Sequence, residues 1–396
     1  MSTRTEIWPA LLAAIALVTL GAVWISLQLG FRHKAWAVLE WDHHRYIAMA
    51  RPTDERLGLP EAREAPFLWR VLAPMLVERM TRLGLHIHTA FYLLTTSSLV
   101  GFLTCLFLYL REKGLAPPDA FLGMALAGLI PGVMRWYQYQ YWMTDPLCLF
   151  LMVLALLAIE AHHDAATVGI SVLGVLTRET FVLVLAYAVL RRYEEKGADA
   201  ALKFALVLLP APLLTLLALH TFMVPQVEPV AIGSMVRDVV SFRTEFLFIN
   251  QIYFATLGSF GIVAVLSWLS VRAVLRAIPR RPSTVVFILG AFASLFLGNN
   301  TDRLLAYIVP VVLPFSLWQL RAVAAHSRLS WSALARMALA VQVVLFCTSP
   351  STGRPGLSVY QPNNWCVVAA AATFLLVTGL SMVRSSLNSS TRQTAA

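Results

Sequence analysis

The apolar residues of this chain come in long runs, and short polar stretches separate one run from the next. Runs of about 20 residues, such as 8–30 and 91–110, have the length that an α-helix needs to cross a bilayer core about 30 Å thick. The pattern predicts membrane-crossing segments at 8–31, 88–110, 119–135, 146–162, 165–177, 180–190, 203–222, 252–272, 283–298, 304–320, 331–349 and 364–383. We therefore expect an all-α polytopic membrane protein with about twelve transmembrane segments.

Composition supports the membrane class. Of 396 residues, 58% are hydrophobic and 13% are charged, whereas soluble domains average roughly 45–50% apolar and about 25% charged residues. No small-residue cleavage site precedes the charged stretch after the first run, so we interpret that run as a retained anchor. The net charge of +10 comes from basic residues in short loops, which is typical of topology signals and not of a nucleic-acid partner. The cysteines form no CxxC pair, so neither a zinc site nor a redox motif is indicated.

The distribution of basic residues predicts which loops face the cytoplasm. Basic loops follow the second, sixth, eighth, tenth and twelfth segments, and such loops mark the cytoplasmic side. All of them share a side with the N-terminus if 165–190 makes two short crossings that meet at LTRET, 176–180. A single helix through 165–190 is the simpler local alternative, but it would place the basic loop after the eighth segment outside. We therefore expect an inner (plasma) membrane protein with both termini cytoplasmic and a broken helix pair that lines a polar cavity.

Polar residues collect on the predicted outer face, although the first outer loop, 32–87, is rich in arginine and departs from the charge rule. The candidate site residues on this face are Glu40, Asp42, His43, His44, Tyr46, Asp145, Arg178, Glu179, Asn300, Asp302 and Arg303. For single residues the alternatives are snorkelling to water, helix capping by Asn300 or Asp302, and mutual neutralisation of Arg178 and Glu179. Ionised groups between apolar segments are unfavourable unless they are paired or lie in a cavity. We therefore expect this set to form one site.

Two segments of the predicted outer loops have the alternation of an amphipathic helix. The first, 65–85, has apolar residues at helical spacing with Arg70, Glu78, Arg79 and Arg82 between them, and 233–249 is similar. Both are too charged to cross a bilayer, so we expect helices that lie in the membrane interface. Such helices flank the entrance for a lipid substrate or form a structural collar, and the sequence leaves both open.

Metal and nucleotide motifs are absent from the sequence. It contains no GxxxxGK[ST], no HExxH and no Gly-rich dinucleotide turn. His43 and His44 are adjacent, so on a helix they point apart and are poor joint ligands for one metal ion. Glu40 and Asp42 could hold a divalent ion together with a phosphate, but we expect no cofactor.

Four motifs together resemble the GT-C superfamily of membrane glycosyltransferases, which use polyprenyl-phosphate sugars. They are EWDHHRY at the start of the first outer loop, YWMTDPL before the fourth segment, GVLTRET, and NNTDRLLAYIVPVVLPF. The likeness covers about residues 8–320, and within the superfamily it is to mannosyltransferase-like and aminoarabinose-transferase-like members. It implies a catalytic region at 1–320. We expect the transmembrane helices at 321–383, which have little polar content, to complete the bundle, and the polar composition of 384–396 predicts a disordered cytoplasmic tail. We expect no counterpart of the large C-terminal soluble domain of oligosaccharyltransferases, so loops and membrane grooves would have to recognise the acceptor.

The resemblance also implies roles for residues. Asp42, with Glu40 beside it, matches the general base of the first outer loop, and Asp145 matches a second acidic position. Arg178 and Arg303 occupy positions where basic residues meet the donor phosphate. The expected partners are a polyprenyl-phosphate-linked sugar donor, a lipid or glycan acceptor, and membrane lipids.

General chemistry agrees with an inverting transfer. A carboxylate near an acceptor hydroxyl serves as a base, and guanidinium groups bind a leaving phosphate bidentately. We expect Asp42 to take the proton while Asp145, Tyr46 and His43 orient sugar or acceptor. The alternatives are a transporter or lipid flippase, with its site at the broken helices, and a non-catalytic membrane subunit. The lack of an internal repeat and the collection of polar residues on one face favour the enzyme.

Overall fold

The computed structural model describes residues 3–28, 43–52, 55, 59–64, 66–223, 225, 260–267, 281–294, 305–326 and 329–348. These residues are mostly helical, and no strand occurs among them. The main helices are α1 (Thr3–Gln28), α2 (His43–Met49), α3 (Leu72–Arg82), α4 (Ile87–Glu112), α5 (Pro117–Gly128), α6 (Asp145–Glu160), α7 (Asp164–Thr177), α8 (Val182–Lys196), α9 (Ala198–Leu208), α10 (Pro210–Phe222), α11 (Pro282–Ser294), α12 (Val309–His326) and α13 (Trp331–Thr348).

Three helices are long and apolar enough to cross a membrane singly: Thr5–Leu27, Ile87–Glu112 and Ala306–Ala325. Two bent pairs, α5 with the turn after it and α9 with α10, also pass when each pair is counted as one span. The helical membrane class that the apolar runs predict is therefore supported. The described part supplies three to five candidate spans, and the predicted segment 364–383 lies outside it.

The core of the bundle is the packing of α4 against α6, with α1 and α5 on the other sides of α4. A Cβ on Gly101 of α4 would lie 2.8 Å from ring atoms of Phe150 on α6. A glycine at this position therefore lets the two backbones approach closely around a bulky ring. Leu99, Phe102 and Leu103 of α4 are also fully buried.

Several predicted helices are broken where the sequence has proline. Segment 203–222 forms α9 and α10, which bend by 40° at Leu209–Pro210. Segment 119–135 ends its regular helix at Gly128 and continues from Pro131 as a short π-helical turn, which is wider than an α-helix. Proline lacks the N–H that would continue the helical ladder and clashes with the carbonyl four residues before it.

The prediction of one amphipathic helix over 65–85 is wrong in its extent. A short 3₁₀ turn covers Phe67–Trp69, and α3 begins only at Leu72. Arg70 lies between them with a non-helical backbone, φ −94° and ψ 63°. Pro74 explains the late start, because its ring would clash with the carbonyl of Arg70 if the helix continued backwards.

The interpretation of 165–190 as two helices is confirmed, and the single-helix alternative is wrong. Helix α7 ends at Thr177, Arg178 has an extended backbone, and a 3₁₀ turn at Glu179–Phe181 leads into α8. Phe181 is fully buried and packs onto Gly174, whose missing side chain provides the space. The LTRET segment therefore forms a defined turn between α7 and α8, fixed by the packing of Phe181 on Gly174.

Polar groups lie at both ends of α6, which spans about 24 Å at 1.5 Å per residue. Asp145 begins the helix and contacts Arg178 and Tyr307. Glu160 ends the helix and contacts Lys113 and Arg191. We call these regions the Asp145 end and the Glu160 end.

Candidate functional site

The centre of the Asp145 end is a buried ion pair between Asp145 and Arg178. Their side chains are 0% and 4% exposed, and Arg178 Nη1 donates to Asp145 Oδ1. The hydroxyl of Tyr307 donates to the same oxygen at 2.8 Å. Because ionised groups lose their hydration on burial, such a pair is tolerable only with close geometry and further hydrogen bonds.

Local sequence explains how the pair is placed. Asp145 opens α6 directly after Thr144, and Pro146 occupies the first turn. A carboxylate interacts favourably with the positive end of a helix, and proline is tolerated there because the first N–H groups have no intrahelical partner. Arg178 lies in the break between α7 and α8, so its side chain can reach across to α6 instead of following a helix face.

A second polar cluster lies beside the first and is organised by Arg70. The Arg70 Nε donates to Glu179 Oε2 at 3.2 Å, and Nη1 donates to the Tyr46 hydroxyl at 3.2 Å. Tyr46 is fully buried, and its ring contacts Phe67 edge to face with centroids 5.5 Å apart. Arg70 therefore links α2 to the residue that follows Arg178.

Three hydrogen-bond donors around the ion pair have no partner among the described residues. They are the Arg178 Nε, the Thr144 hydroxyl and the Thr180 hydroxyl, all of which are buried. An unsatisfied buried donor costs roughly 1–3 kcal/mol. Donors that gather near the start of a helix are suited to a bound anion such as a phosphate. The Arg178 Nε and the two hydroxyls are therefore donors that an oxyanion could accept from, while Asp145 already balances the charge of the guanidinium.

His43 and His44 have different surroundings. His44 is exposed, whereas His43 is 2% exposed, stacked on His88 with centroids 5.4 Å apart and edge-on to Trp142 at 4.7 Å. Neither ring nitrogen of His43 has a hydrogen-bond partner in the described part of the chain. Burial, together with His88 and His44, lowers the pKa of His43 to about 4, so its imidazole is neutral at pH 7.

The predicted residues are thus brought together in part. Asp145 and Arg178 touch directly, while Glu179 and Tyr46 meet through Arg70. Among the described residues, the two histidines make no hydrogen bond to that network, although His43 lies on the same short helix as Tyr46. The candidates outside the described residues are Glu40, Asp42, Asn300, Asp302 and Arg303.

Sequence reasoning missed the site contacts of Arg70 and Tyr307. Arg70 was assigned to the polar side of an interfacial helix, yet it is 8% exposed. Its immediate neighbours, Leu68, Trp69, Val71 and Leu72, are all apolar, and an arginine flanked in this way needs a partner inside the protein. Tyr307 lies in the run LLAYIVP, where no pattern separates it from the apolar residues around it.

Within the described ranges, no group of three or more His, Cys, Asp or Glu side chains is placed to hold a metal ion. The Asp145 carboxylate interacts instead with a guanidinium and a phenol. The expectation that no cofactor is needed stays a prediction.

Comparisons with protein-family models, with curated proteins and with solved structures find no match for this chain.

Proposed function

We propose that this chain is an integral membrane glycosyltransferase of the GT-C type. It would move a sugar from a polyprenyl-phosphate donor to a lipid or glycan acceptor on the extracytoplasmic side of the inner membrane. The observation that carries the proposal is the buried Arg178, which pairs with Asp145 and whose Nε has no partner among the described residues, like the hydroxyls of Thr144 and Thr180 beside the pair in the chain. The oxygens of a phosphate leaving group in the membrane would accept hydrogen bonds from these donors.

The proposed chemistry is a single displacement. The acceptor hydroxyl oxygen forms a bond to the anomeric carbon while the bond from that carbon to the phosphate oxygen breaks. The electron pair leaves with polyprenyl phosphate, and the acceptor proton passes to Asp42 as general base, with Glu40 beside it. Asp42 directly precedes His43, the first residue of α2.

Arg178 and Arg303 would stabilise the negative charge on the departing phosphate. Asp145 holds the Arg178 guanidinium before substrate binds, and the Tyr307 hydroxyl donates to the same Asp145 oxygen. Such preorganised charges act most strongly in a site that excludes water, because they need no reorganisation during the reaction. His43, His44, Tyr46, Glu179, Asn300 and Asp302 are proposed to contact sugar or acceptor.

The test is release of polyprenyl phosphate by purified protein in lipid nanodiscs. A panel of radiolabelled polyprenyl-phosphate sugars, including the mannose and aminoarabinose forms, serves as donor, with a membrane lipid extract as acceptor. Turnover should depend on Asp42, so Asp42→Asn should lose about 10²–10⁴-fold in rate. Arg79→Ala, which removes an exposed arginine from α3, is the matched control and should keep wild-type turnover.

Two results would count against the proposal. Full activity in Asp42→Asn would remove the assigned base. Movement of an intact labelled donor across sealed vesicles, without any covalent change, would favour the transporter alternative, because charged residues within membrane helices also line transport paths.

A further inference from the structure

The Arg70 side chain joins α2, in the predicted first outer loop, to the break between α7 and α8. Its guanidinium binds the Tyr46 hydroxyl on α2 and the Glu179 carboxylate in the break. The three residues are separated by 24 and 109 positions along the chain. The contact is therefore a tertiary connection, which local sequence does not impose.

The guanidinium of this connection is buried, whereas the Glu179 side chain is 32% exposed. The Arg70 side chain is 9% exposed, and Phe67 covers one side with its ring centroid 5.5 Å from the guanidinium carbon. Burial disfavours the charged form, but Glu179 and Tyr46 hold the pKa of Arg70 above its ordinary value. The guanidinium is therefore always charged and always in need of both partners.

The two partners of Arg70 stand next to the two parts of the proposed site. Tyr46 lies on α2, whose first residue, His43, follows the proposed base in the chain. Glu179 directly follows Arg178, which pairs with Asp145. Arg70 is thus placed to set the distance between the proposed base, Asp42, and the arginines proposed to bind the phosphate, Arg178 and Arg303.

We propose that Arg70 is a positioning residue, which holds α2 against the α7–α8 break by bridging Tyr46 and Glu179. The inference rests on the proposed transferase for its catalytic consequence, but the tether itself is a structural claim that can be tested without any substrate. Arg70 is not proposed to touch the donor or the acceptor. Its effect on the reaction would come through the alignment of other groups.

The planar fork of arginine explains the choice of residue. Two different nitrogens serve the two partners, Nε for Glu179 and Nη1 for Tyr46. Lysine has a single ammonium on a flexible stem and could satisfy one partner well or both poorly. Arg70→Lys should therefore restore only part of what Arg70→Ala loses.

Hydrogen–deuterium exchange of the purified full chain tests the tether directly. In Arg70→Ala, amides in 43–49 and 179–181 should exchange about tenfold faster or more, because a hydrogen bond to a charged group contributes at least that factor to a local opening equilibrium. The milder Tyr46→Phe keeps the ring that packs on Phe67 and removes only the hydroxyl. It should accelerate exchange in 43–49 and leave 179–181 unchanged. Arg79→Ala should change neither segment, and unchanged exchange in both Arg70→Ala and Tyr46→Phe would overturn the tether.

Steady-state kinetics with the polyprenyl-phosphate sugar panel test the positioning role. Misalignment predicts a fall in kcat of about 10²-fold in Arg70→Ala, little change in KM for the donor, and partial recovery in Arg70→Lys. A raised donor KM with unchanged kcat would overturn the role, since it would show that Arg70 binds the donor. If the wild type releases no polyprenyl phosphate from any donor, the transferase proposal fails while the exchange experiment still decides the tether.

Discussion

Arg178 and Asp145 are 33 positions apart in the sequence and form an ion pair in the protein interior. Tyr307 follows Asp145 by 162 positions, and its hydroxyl donates to the same Asp145 oxygen that Arg178 contacts. One carboxylate therefore connects the start of α6, the break after α7 and the residues before α12. This triple contact fixes the Asp145 end of the bundle.

Removing one partner of this pair should be far more destabilising than removing both. In Asp145→Leu, the Arg178 charge would stay buried without its counterion, and breaking a buried pair typically costs about 3–5 kcal/mol. Replacing both residues, as in Asp145→Leu with Arg178→Met, should recover most of that loss, because apolar residues can pack in place of a buried ion pair. Thermal unfolding in detergent micelles measures both effects.

The control for this comparison is Asp164, which pairs with Arg192 but is half exposed, at 48%. Asp164→Leu should cost less than about 1 kcal/mol, the usual limit for an exposed pair. Equal loss in Asp145→Leu and Asp164→Leu would mean that the buried pair has no special place in the fold.

Gly174 should not tolerate a side chain. A Cβ at this position would lie 2.4 Å from three ring atoms of Phe181, and Phe181 is fully buried. Gly174→Ala should therefore destabilise the protein by about 1–3 kcal/mol, the usual cost of overpacking. Gly169 lies on the same helix with open space around its Cβ position, so Gly169→Ala should be neutral or stabilise by up to about 1 kcal/mol. Thermal unfolding of the two variants side by side decides the matter, and similar midpoints would exclude a close contact in the break.

The break at LTRET shows what the sequence could predict. Two apolar stretches too short for ideal spans meet at adjacent ionisable residues, and the prediction of two helices follows from that pattern. That pattern does not predict which residues Arg178 and Glu179 pair with. Mutual neutralisation of Arg178 and Glu179 was one expectation, but Arg178 pairs with Asp145 and Glu179 with Arg70. Neighbours in sequence point to different elements once the helix ends, and the choice of partner depends on tertiary packing.

Arg70 shows why helical periodicity alone misleads. Apolar residues at helical spacing across 65–85 predict one continuous surface helix with Arg70 on its polar side. Pro74 keeps that helix from extending back beyond Leu72, so Arg70 lies outside the helix and is buried. The proline was visible in the sequence and indicates a helix start, but nothing local indicates that the freed arginine would reach Tyr46 and Glu179.

Acid should destabilise the packing of α2 through His43. Its pKa is lowered from 6.5 to about 4, so below pH 6.5 the unfolded chain binds a proton that the folded state does not. The stabilisation is fully present above pH 6.5 and decreases as the pH falls towards 4, by up to roughly 3 kcal/mol. The groups around His43 are His44 and Arg45 on α2, His86 and His88 near the start of α4, Tyr141, and Glu64, which binds Arg45.

Unfolding midpoints between pH 7.5 and pH 4 measure this effect. A His43→Gln variant should lose much of the acid sensitivity, because glutamine does not titrate. The control is His162→Gln, which changes a half-exposed histidine in the turn after α6; the acid-induced fall in midpoint that His43→Gln removes should persist in it. Identical profiles for wild type and His43→Gln would show that the acid sensitivity arises elsewhere.

The Glu160 end should matter for stability and not for the proposed reaction. Glu160 accepts the Tyr187 hydroxyl at 2.9 Å and binds Lys113 at 2.6 Å and Arg191 at 3.1 Å. Glu160→Gln would leave two cations without this buried counterion, and we expect a loss of about 3 kcal/mol. Because α6 separates this cluster from the Asp145 end by about 24 Å, donor KM and kcat measured below the lowered unfolding midpoint should stay near wild type. Glu112→Gln, an exposed change one residue from Lys113, should alter neither stability nor kinetics. A fall in kcat of Glu160→Gln at temperatures where the protein is fully folded would instead mean that the two ends of α6 are coupled.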